Sequence, residues 1–277
     1  MERKVSTLSG FIAASRAATL EWGHNRSTIQ PWFRGQSSSS WPLVPGLYRS
    51  GSVAMYEREV LREFKLRAPM HMVREPANDL EWLFVMQHHG APTRLLDWSE
   101  NHLAALFFAV GDSKSRVDGA VWALDPWSLN EIALGQTTVP VAQDPRLTEW
   151  LADANPELVE RKVSASLPVA VRPPLATARI TAQRGTFTLH GSSRTPLNRV
   201  EAVRVTKITI DRHAKPQILK ELWFSGVTYG SLFPDLDGLS QELAYRFGRR
   251  YDRVKGDRSS SRVQSGDACS PPLRRRS

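Results

Sequence analysis

The sequence has little that would indicate a secreted, membrane-bound or zinc-dependent protein. Cys269 is the one cysteine among 277 residues, so an intramolecular disulfide and a cysteine-rich zinc site are both excluded. The longest apolar run, Leu103 to Val110, is too short to cross a bilayer, and the early stretch "FIAASRAATL" is interrupted by Arg16. We therefore expect a soluble, cytoplasmic protein without a membrane partner.

Motifs of metal and hydrolytic chemistry are also missing. His88 and His89 are adjacent, so a helix would turn them about 100° apart, and neither has a partner at a zinc-binding spacing. The chain has no nucleophile elbow. No metal is expected, and a hydrolase that uses His89 with Asp97 is an alternative that no motif supports.

The positive charge of the chain is concentrated at its C-terminal end. The net charge is +9, and residues 249–277 contain nine Arg or Lys against three Asp, which leaves +3 for the other 248 residues. This segment has few apolar residues, which predicts a disordered basic tail. Such a tail can contact nucleic acid or acidic surfaces non-specifically. A solvated tail without a dedicated partner is the alternative.

Helical patterns come early in the chain and strand patterns come late, which favours an α+β fold. We predict a central mixed or antiparallel sheet flanked by helices. The chain is divided into an N-terminal helix in 1–24, a domain in 25–248 and the tail in 249–277. Helices are predicted at 7–22, 53–68, 79–90, 146–160, 214–227 and 237–250, and strands at 29–36, 119–125, 178–191 (with a turn) and 200–210.

The stretch "QHHGAPTRLLDWSENHLAALFFAV" (87–110) places polar residues directly before an apolar helix. Asp97, with Glu100 three residues later, fits a capping box, which would explain Asp97 as the helix N-cap. Arg94 lies between a proline-containing turn and two leucines, so its guanidinium needs a partner near the interior. Asp97 and a bound phosphate are the two candidates. We predict that the polar half lines a ligand cleft and that the buried helix holds it in place.

Two further polar residues lie at the ends of predicted strands. Arg34 ends an apolar strand and precedes Gly35, which allows the close approach of backbone or ligand. Gln183, in "ITAQRGTFT", also precedes a basic residue and a glycine. Each has a structural alternative, since the arginine can bridge loop carbonyls and the glutamine can satisfy backbone groups. The functional interpretation is that both ends meet at the rim of one cleft.

These segments resemble the FRG-domain family, named for a Phe-Arg-Gly motif that stands here as Phe33-Arg34-Gly35. The resemblance extends through "WPLVPGLYR" (41–49), "EREVLREF" (57–64), residues 82–110 and "DGAVWALDP" (118–126). It therefore covers 25–126 as the core motifs. Within the downstream part, 127–248, "RITAQRGTFTLHG" (179–191) and "LFPDLDGLSQEL" (232–243) resemble segments that often follow the core in such proteins.

A more distant resemblance is to the ADP-ribosyltransferases. In those enzymes a first strand ends in arginine, a second segment carries Ser-Thr-Ser before a helix, and a third segment supplies a glutamate. Arg34 stands at the first position, Asp97, Trp98 and Ser99 at the second, and Gln183 at the third. The resemblance implies an ADP-ribosyltransferase-like fold, NAD as the cofactor, and ADP-ribosyl transfer or NAD cleavage by a toxin or anti-phage defence effector.

The chemistry of that reaction explains the expected site. Cleavage of the nicotinamide–ribose bond has an oxocarbenium-like transition state, in which hydrogen bonds to the ribose hydroxyls strengthen. Trp98 would stack on the nicotinamide, while Gln183 can hydrogen-bond but cannot act as a base. A non-catalytic module that binds nucleic acid or protein is the alternative. The resemblance implies catalytic roles for Arg34, Asp97 and Gln183, and contacts to a nucleotide-like ligand from Arg34, Gly35, His89, Thr93, Arg94, Trp98 and Ser99.

Overall fold

A computed structural model describes residues 3–22, 30–49, 51–112, 116–151, 166–174 and 177–261, with the backbone alone for 51–52 and 249–261. Within these ranges the chain forms a seven-stranded mixed sheet flanked by helices. The predicted α+β class is confirmed.

The sheet has the strand order β1-β7-β4-β2-β3-β6-β5. β1 pairs with β7 in parallel, and every other neighbouring pair in this sheet is antiparallel. Residues Arg3–Val5 of the N-terminal segment therefore form an edge strand of this sheet. The strands are β1 (Arg3–Val5), β2 (Trp32–Gln36), β3 (Leu95–Ser99), β4 (Gly119–Leu124), β5 (Val169–Val171), β6 (Gly185–Leu189) and β7 (Val205–Ile210).

The helices of the described ranges vary from single turns to a long C-terminal helix. They are α1 (Leu8–Leu20), α2 (Gly46–Arg49), α3 (Gly51–Ala54), α4 (Glu57–Arg67), α5 (Asp79–His88), α6 (His102–Val110), α7 (Pro126–Leu134), α8 (Thr148–Leu151), α9 (Ala178–Gln183), α10 (Lys215–Phe224), α11 (Tyr229–Leu232) and α12 (Leu236–Ser261).

One face of the sheet, which we call the α6 face, carries two separate apolar cores. Under β2, β4 and β7, residues such as Phe33 and Val121 pack against α1, α6 and α10. Under β3, β5 and β6, residues such as Leu95 and Phe187 pack against α4 and α5. The opposite face, which we call the Trp122 face, buries Trp32, Trp98 and Trp122 under α7.

The sheet separates between β2 and β3, close to the place where the two cores of the α6 face meet. These strands share a single register pair, Phe33 with Ser99. By contrast, β2 pairs with β4 at five positions, and β3 pairs with β6 at five. Beyond Phe33 the two strands diverge, which opens a gap between Arg34 and Asp97.

Three local predictions differ from the structure. Residues 178–183 form a helix where a strand was predicted. Thr177 caps the start of this helix, and Arg184 ends it in the left-handed region of backbone conformation, directly before β6 begins. Asp97 is not a helix cap, since it lies within β3 and the N-cap of α6 is Asn101.

The third difference concerns the predicted disordered tail. Helix α12 continues to Ser261, so the chain does not lose regular structure at residue 249. Residues 262–277 lie outside the described residues. The same applies to most of the helix predicted at 146–160, of which the structure describes the short helix α8.

Candidate functional site

A cleft of about 350 Å³ opens where β2 and β3 separate, between Gln87 of α5 and Phe108 of α6. It brings together residues that are far apart in the sequence. Six of the residues predicted from the sequence line it: Arg34, Gly35, Asp97, Trp98, Ser99 and Gln183.

Arg34 bridges the gap between the two strands. Its Nη1 donates to the carbonyl oxygen of Asp97 at 2.7 Å and to Oδ2 of the same residue at 3.3 Å. The side chain is only 15% exposed, and its Nε has no hydrogen-bond partner among the described residues. Burial lowers the pKa of Arg34, while Asp97 raises it and Arg49 lowers it further. The cleft is therefore lined by a largely desolvated cation.

Asp97 presents a half-exposed carboxylate that is held from two sides. Its Oδ2 accepts from Arg34 and also from Nε2 of Gln87 at 2.8 Å. The Gln87 Oε1 in turn accepts from the Thr93 hydroxyl, which accepts from the backbone N–H of Leu95 at 3.1 Å. This chain of hydrogen bonds orients the carboxylate. Sequence reasoning missed Gln87, because no local pattern shows that the end of α5 will lie beside β3.

Ser99 and Gln183 join β3 to the C-terminal end of α9. The Ser99 hydroxyl lies 2.5 Å from the Gln183 carbonyl oxygen and accepts from the backbone N–H of Asn101 at 2.9 Å. The Gln183 Nε2 donates to the carbonyl oxygen of Leu232 at 3.0 Å. Both side chains reach the cleft, but their main hydrogen bonds fix its wall.

Trp98 is not the exposed aromatic residue of the site. It is 3% exposed, and its indole N–H donates to the Thr188 hydroxyl at 3.1 Å. Trp41, which the sequence analysis did not single out, lines the same cleft and is 50% exposed. The open ring surface at this site therefore belongs to Trp41.

A buried polar chain continues behind Trp98. Because an indole N–H only donates, Thr188 accepts from Trp98 and has its own proton available for Nε2 of His190, 3.1 Å away. Burial, together with the smaller effects of the Arg94 and Arg34 charges, lowers the pKa of His190 to about 3. His190 is therefore neutral at physiological pH, with Nε2 as an acceptor.

Three residues predicted as ligand contacts do not line the cleft. Arg94 is buried, and its Nε and Nη2 donate to the two carboxylate oxygens of Glu57 at 2.6 and 2.5 Å. Its partner is thus Glu57, and neither Asp97 nor a phosphate is needed. Thr93 is also buried and supports Gln87. His89 lines a separate apolar groove beside α4, so the His89–Asp97 pair of the hydrolase alternative is not assembled.

Gly35 is required for packing. A Cβ at this position would lie 1.8 Å from the carbonyl oxygen of Ala105 and 2.8 Å from the backbone nitrogen of Ala109. The glycine of the Phe-Arg-Gly motif therefore lets β2 lie directly against α6, the helix that follows the cleft-lining strand β3.

A family model described as the FRG domain matches residues 30–117. The chain contains an FRG domain. No curated protein and no solved structure matches the chain. The FRG segment supplies β2, α5, β3 and α6, whereas α9, with Arg179 and Gln183, lies downstream of it. The cleft is thus built from the FRG segment and completed by a later part of the chain.

Two further features are absent from the part of the chain that the structure describes. No helix there combines the length and apolar character that crossing a membrane requires. No group of three or more His, Cys, Asp or Glu side chains there is placed to hold a metal ion.

Proposed function

We propose that this FRG-domain protein binds a nucleotide-like ligand in the cleft and catalyses NAD-dependent ADP-ribosyl transfer or NAD cleavage. One observation carries the proposal. The Arg34 guanidinium and the Asp97 carboxylate, from separate strands, converge in one cleft that Ser99 and Gln183 also line.

The residues of the cleft are suited to the chemistry of an N-glycosidic bond. In this reaction the bond between the ribose C1′ and the nicotinamide nitrogen breaks, and water or an acceptor group attacks C1′. Asp97 is placed to stabilise the positive charge that develops on the ribose or to accept a hydrogen bond from a ribose hydroxyl. Gln183 contributes hydrogen bonding without a charge, so in this proposal the catalytic carboxylate is that of Asp97.

The size and lining of the cleft support part of a dinucleotide as the ligand. A volume of about 350 Å³ is near the lower end of the range for ligand pockets, so one half of NAD occupies it and the rest extends over the open side. The Arg34 side chain lines the cleft and is 15% exposed, so its guanidinium is a charge-assisted donor for a phosphate or ribose oxygen. Trp41 offers the exposed ring for stacking on a base, the role that the sequence analysis gave to Trp98.

The direct test is to incubate the purified full chain with NAD and measure released nicotinamide, alone and with a mixture of candidate acceptor proteins. The proposal expects NAD consumption that the substitution Asp97→Asn abolishes. NAD binding without any consumption, with or without acceptors, would overturn the catalytic part.

The effector role is tested by expression in bacteria, where we expect growth arrest with the parent chain and not with Asp97→Asn. Normal growth with the active parent chain would contradict that role.

The alternative is a non-catalytic module that binds nucleic acid, which the excess of basic residues in 249–277 favours. In that case, binding of single-stranded oligonucleotides should weaken steeply with salt and disappear when 249–277 is deleted. Binding that survives the deletion would exclude the tail as the electrostatic anchor.

A further inference from the structure

The cleft contains more positive charge than its own carboxylate can balance. Arg34, Arg49 and Arg179 line it, and Asp97 is the only acidic side chain among its described lining residues. The Arg34–Asp97 pair is therefore accompanied by two further cations. Like charges in a partly desolvated cleft repel each other, and a bound anion relieves that repulsion.

Arg49 comes from α2, at the end of the "WPLVPGLYR" segment. Its side chain is exposed, and within the described ranges no hydrogen bond or ion pair engages its guanidinium. It is close enough to Arg34 to lower the pKa of that residue, after the larger effect of burial. Among the described residues, this cation therefore has no acidic partner.

Arg179 comes from α9, downstream of the FRG segment. Its guanidinium carbon lies 4.6 Å from the centre of the Phe233 ring, which holds the group by a cation–π contact without neutralising it. The helix that carries it is fixed by the hydrogen bonds of Ser99 and Gln183. This cation is therefore presented by a rigid wall.

We infer that Arg49 and Arg179, acting with Arg34, bind the two linked phosphates of a pyrophosphate-bridged nucleotide and select it over nucleosides and monophosphates. A pyrophosphate carries more charge and more oxygens than a single phosphate, so it can engage more guanidinium groups from separate elements. Asp97 repels phosphate, so the ribose lies nearer Asp97 and the phosphates lie nearer Arg49 and Arg179. The part of this inference that names a nucleotide rests on the proposed function. The binding of two linked phosphates by the arginines does not.

The test is titration calorimetry of the full chain with adenosine, AMP, ADP, inorganic phosphate and inorganic pyrophosphate. We expect ADP and pyrophosphate to bind at least about tenfold more tightly than AMP and phosphate. Arg49→Gln and Arg179→Gln should each remove most of that preference while leaving adenosine binding unchanged. Arg62→Gln is the matched control, because it removes the same charge from an exposed position outside the cleft.

The outcomes separate this inference from the proposed function. If AMP and ADP bind equally, or if Arg62→Gln weakens ADP binding as much as Arg49→Gln and Arg179→Gln do, the inference is wrong. Pyrophosphate binding that depends on Arg49 and Arg179, without any binding of NAD, would support the anion site and contradict the proposed nucleotide ligand. If both arginine variants still bind NAD with full affinity and cleave it, that result would support the proposed function and contradict the anion site. Thermal melts of each variant confirm that a loss of binding is not a loss of folding.

Discussion

At the scale of single residues, Arg34 connects the two diverging strands and, in the proposed function, also contacts the ligand. Its Nη1 replaces part of the missing strand pairing by donating to the Asp97 carbonyl oxygen, and its Nε is left without a partner among the described residues. A lysine would keep the charge but lose the fork of donors that lets one side chain do both.

The substitution Arg34→Lys should therefore leave the protein folded and weaken NAD binding by about 1.5–3 kcal/mol, the range for hydrogen bonds to charged groups. Calorimetry with NAD measures the affinity, and a thermal melt checks the fold. A variant that binds and reacts as the parent does would show that the guanidinium geometry has no role in binding.

Asp97 has a role that can be separated from helix capping, because the N-cap of α6 is Asn101. Asp97→Asn removes the charge from a side chain that is 53% exposed, so the unfolding free energy should change by at most about 1 kcal/mol. NAD turnover should be lost. The matched control is Asn101→Ala, which should cost about 1 kcal/mol of stability through the lost cap while turnover survives. If turnover falls equally in both variants, then turnover depends on the intact connection between β3 and α6 and not specifically on the Asp97 carboxylate.

His190 makes the stability of the fold depend on pH. Its pKa is about 3 in the folded protein and 6.5 for an ordinary histidine, so as the pH falls below 6.5 the unfolded chain binds a proton that the folded chain does not. The stability from this group is complete above 6.5, and it decreases by up to about 1.4 kcal/mol per pH unit as the pH falls towards 3. Urea unfolding from pH 7 to pH 4 should show that the stability deficit of His190→Gln shrinks on acidification. A deficit that stays constant with pH would contradict a depressed pKa.

At the scale of elements, the contact between β2 and α6 determines where Arg34 lies. Gly35 brings the strand against the helix backbone, and the adjacent residue Arg34 faces the gap towards β3. Helix α6 also follows β3 directly in the chain. The same helix therefore contacts β2 and is connected to β3, the two strands between which the cleft opens.

Gly35→Ala should lower the unfolding free energy by about 1–3 kcal/mol or more, because its Cβ would collide with backbone atoms of α6 that cannot move independently. Gly46→Ala is the control, since the nearest heavy atom to its added Cβ is at an ordinary 3.9 Å. Urea denaturation measures both. Equal and small effects would mean that β2 and α6 are not in direct backbone contact.

At the scale of the whole molecule, two apolar cores share one face of the sheet, and the cleft lies close to where they meet. Helix α12 contributes to the first core through Tyr245, whose ring lies 4.5 Å from that of Trp223. Two residues later, Phe247 is 54% exposed. Among the described side chains of this helix, Tyr245 therefore packs on the body and Phe247 is largely open to solvent.

Removal of residues 252–277 should leave the melting temperature nearly unchanged, because the apolar periodicity of the sequence is lost after Phe247 and the described side-chain contacts of α12 with the body lie before that point. Removal of 236–277 is the comparison, since it deletes Tyr245 and also Glu242, whose carboxylate accepts from the Thr228 hydroxyl and the Gly230 N–H. That truncation should lower the melting temperature clearly. A large drop with the shorter deletion would mean that residues 252–277 dock onto the body.

Much of this organisation is predictable from local sequence. The α+β class, the strands β2, β4 and β7, and the helices α1, α5 and α10 follow from apolar periodicity, which depends on neighbours only a few residues away. The prediction was wrong where two local patterns compete. Asp97 with Glu100 fits a capping box, but Leu95–Ser99 pairs along its whole length with β6, and that long-range pairing prevails.

The sequence by itself determined the FRG assignment and the concentration of polar groups at Arg34 and at Asp97–Ser99, since these depend on residue types in short motifs. Only the tertiary structure decided which of them share a cleft. Arg94 and Asp97 are three residues apart, yet one pairs with Glu57 in the interior and the other lines the cleft. Gln87 and Arg179 reach the same site without any local signal. The physical reason is that a partner is chosen by how strands and helices pack, and packing joins residues that no sequence window contains together.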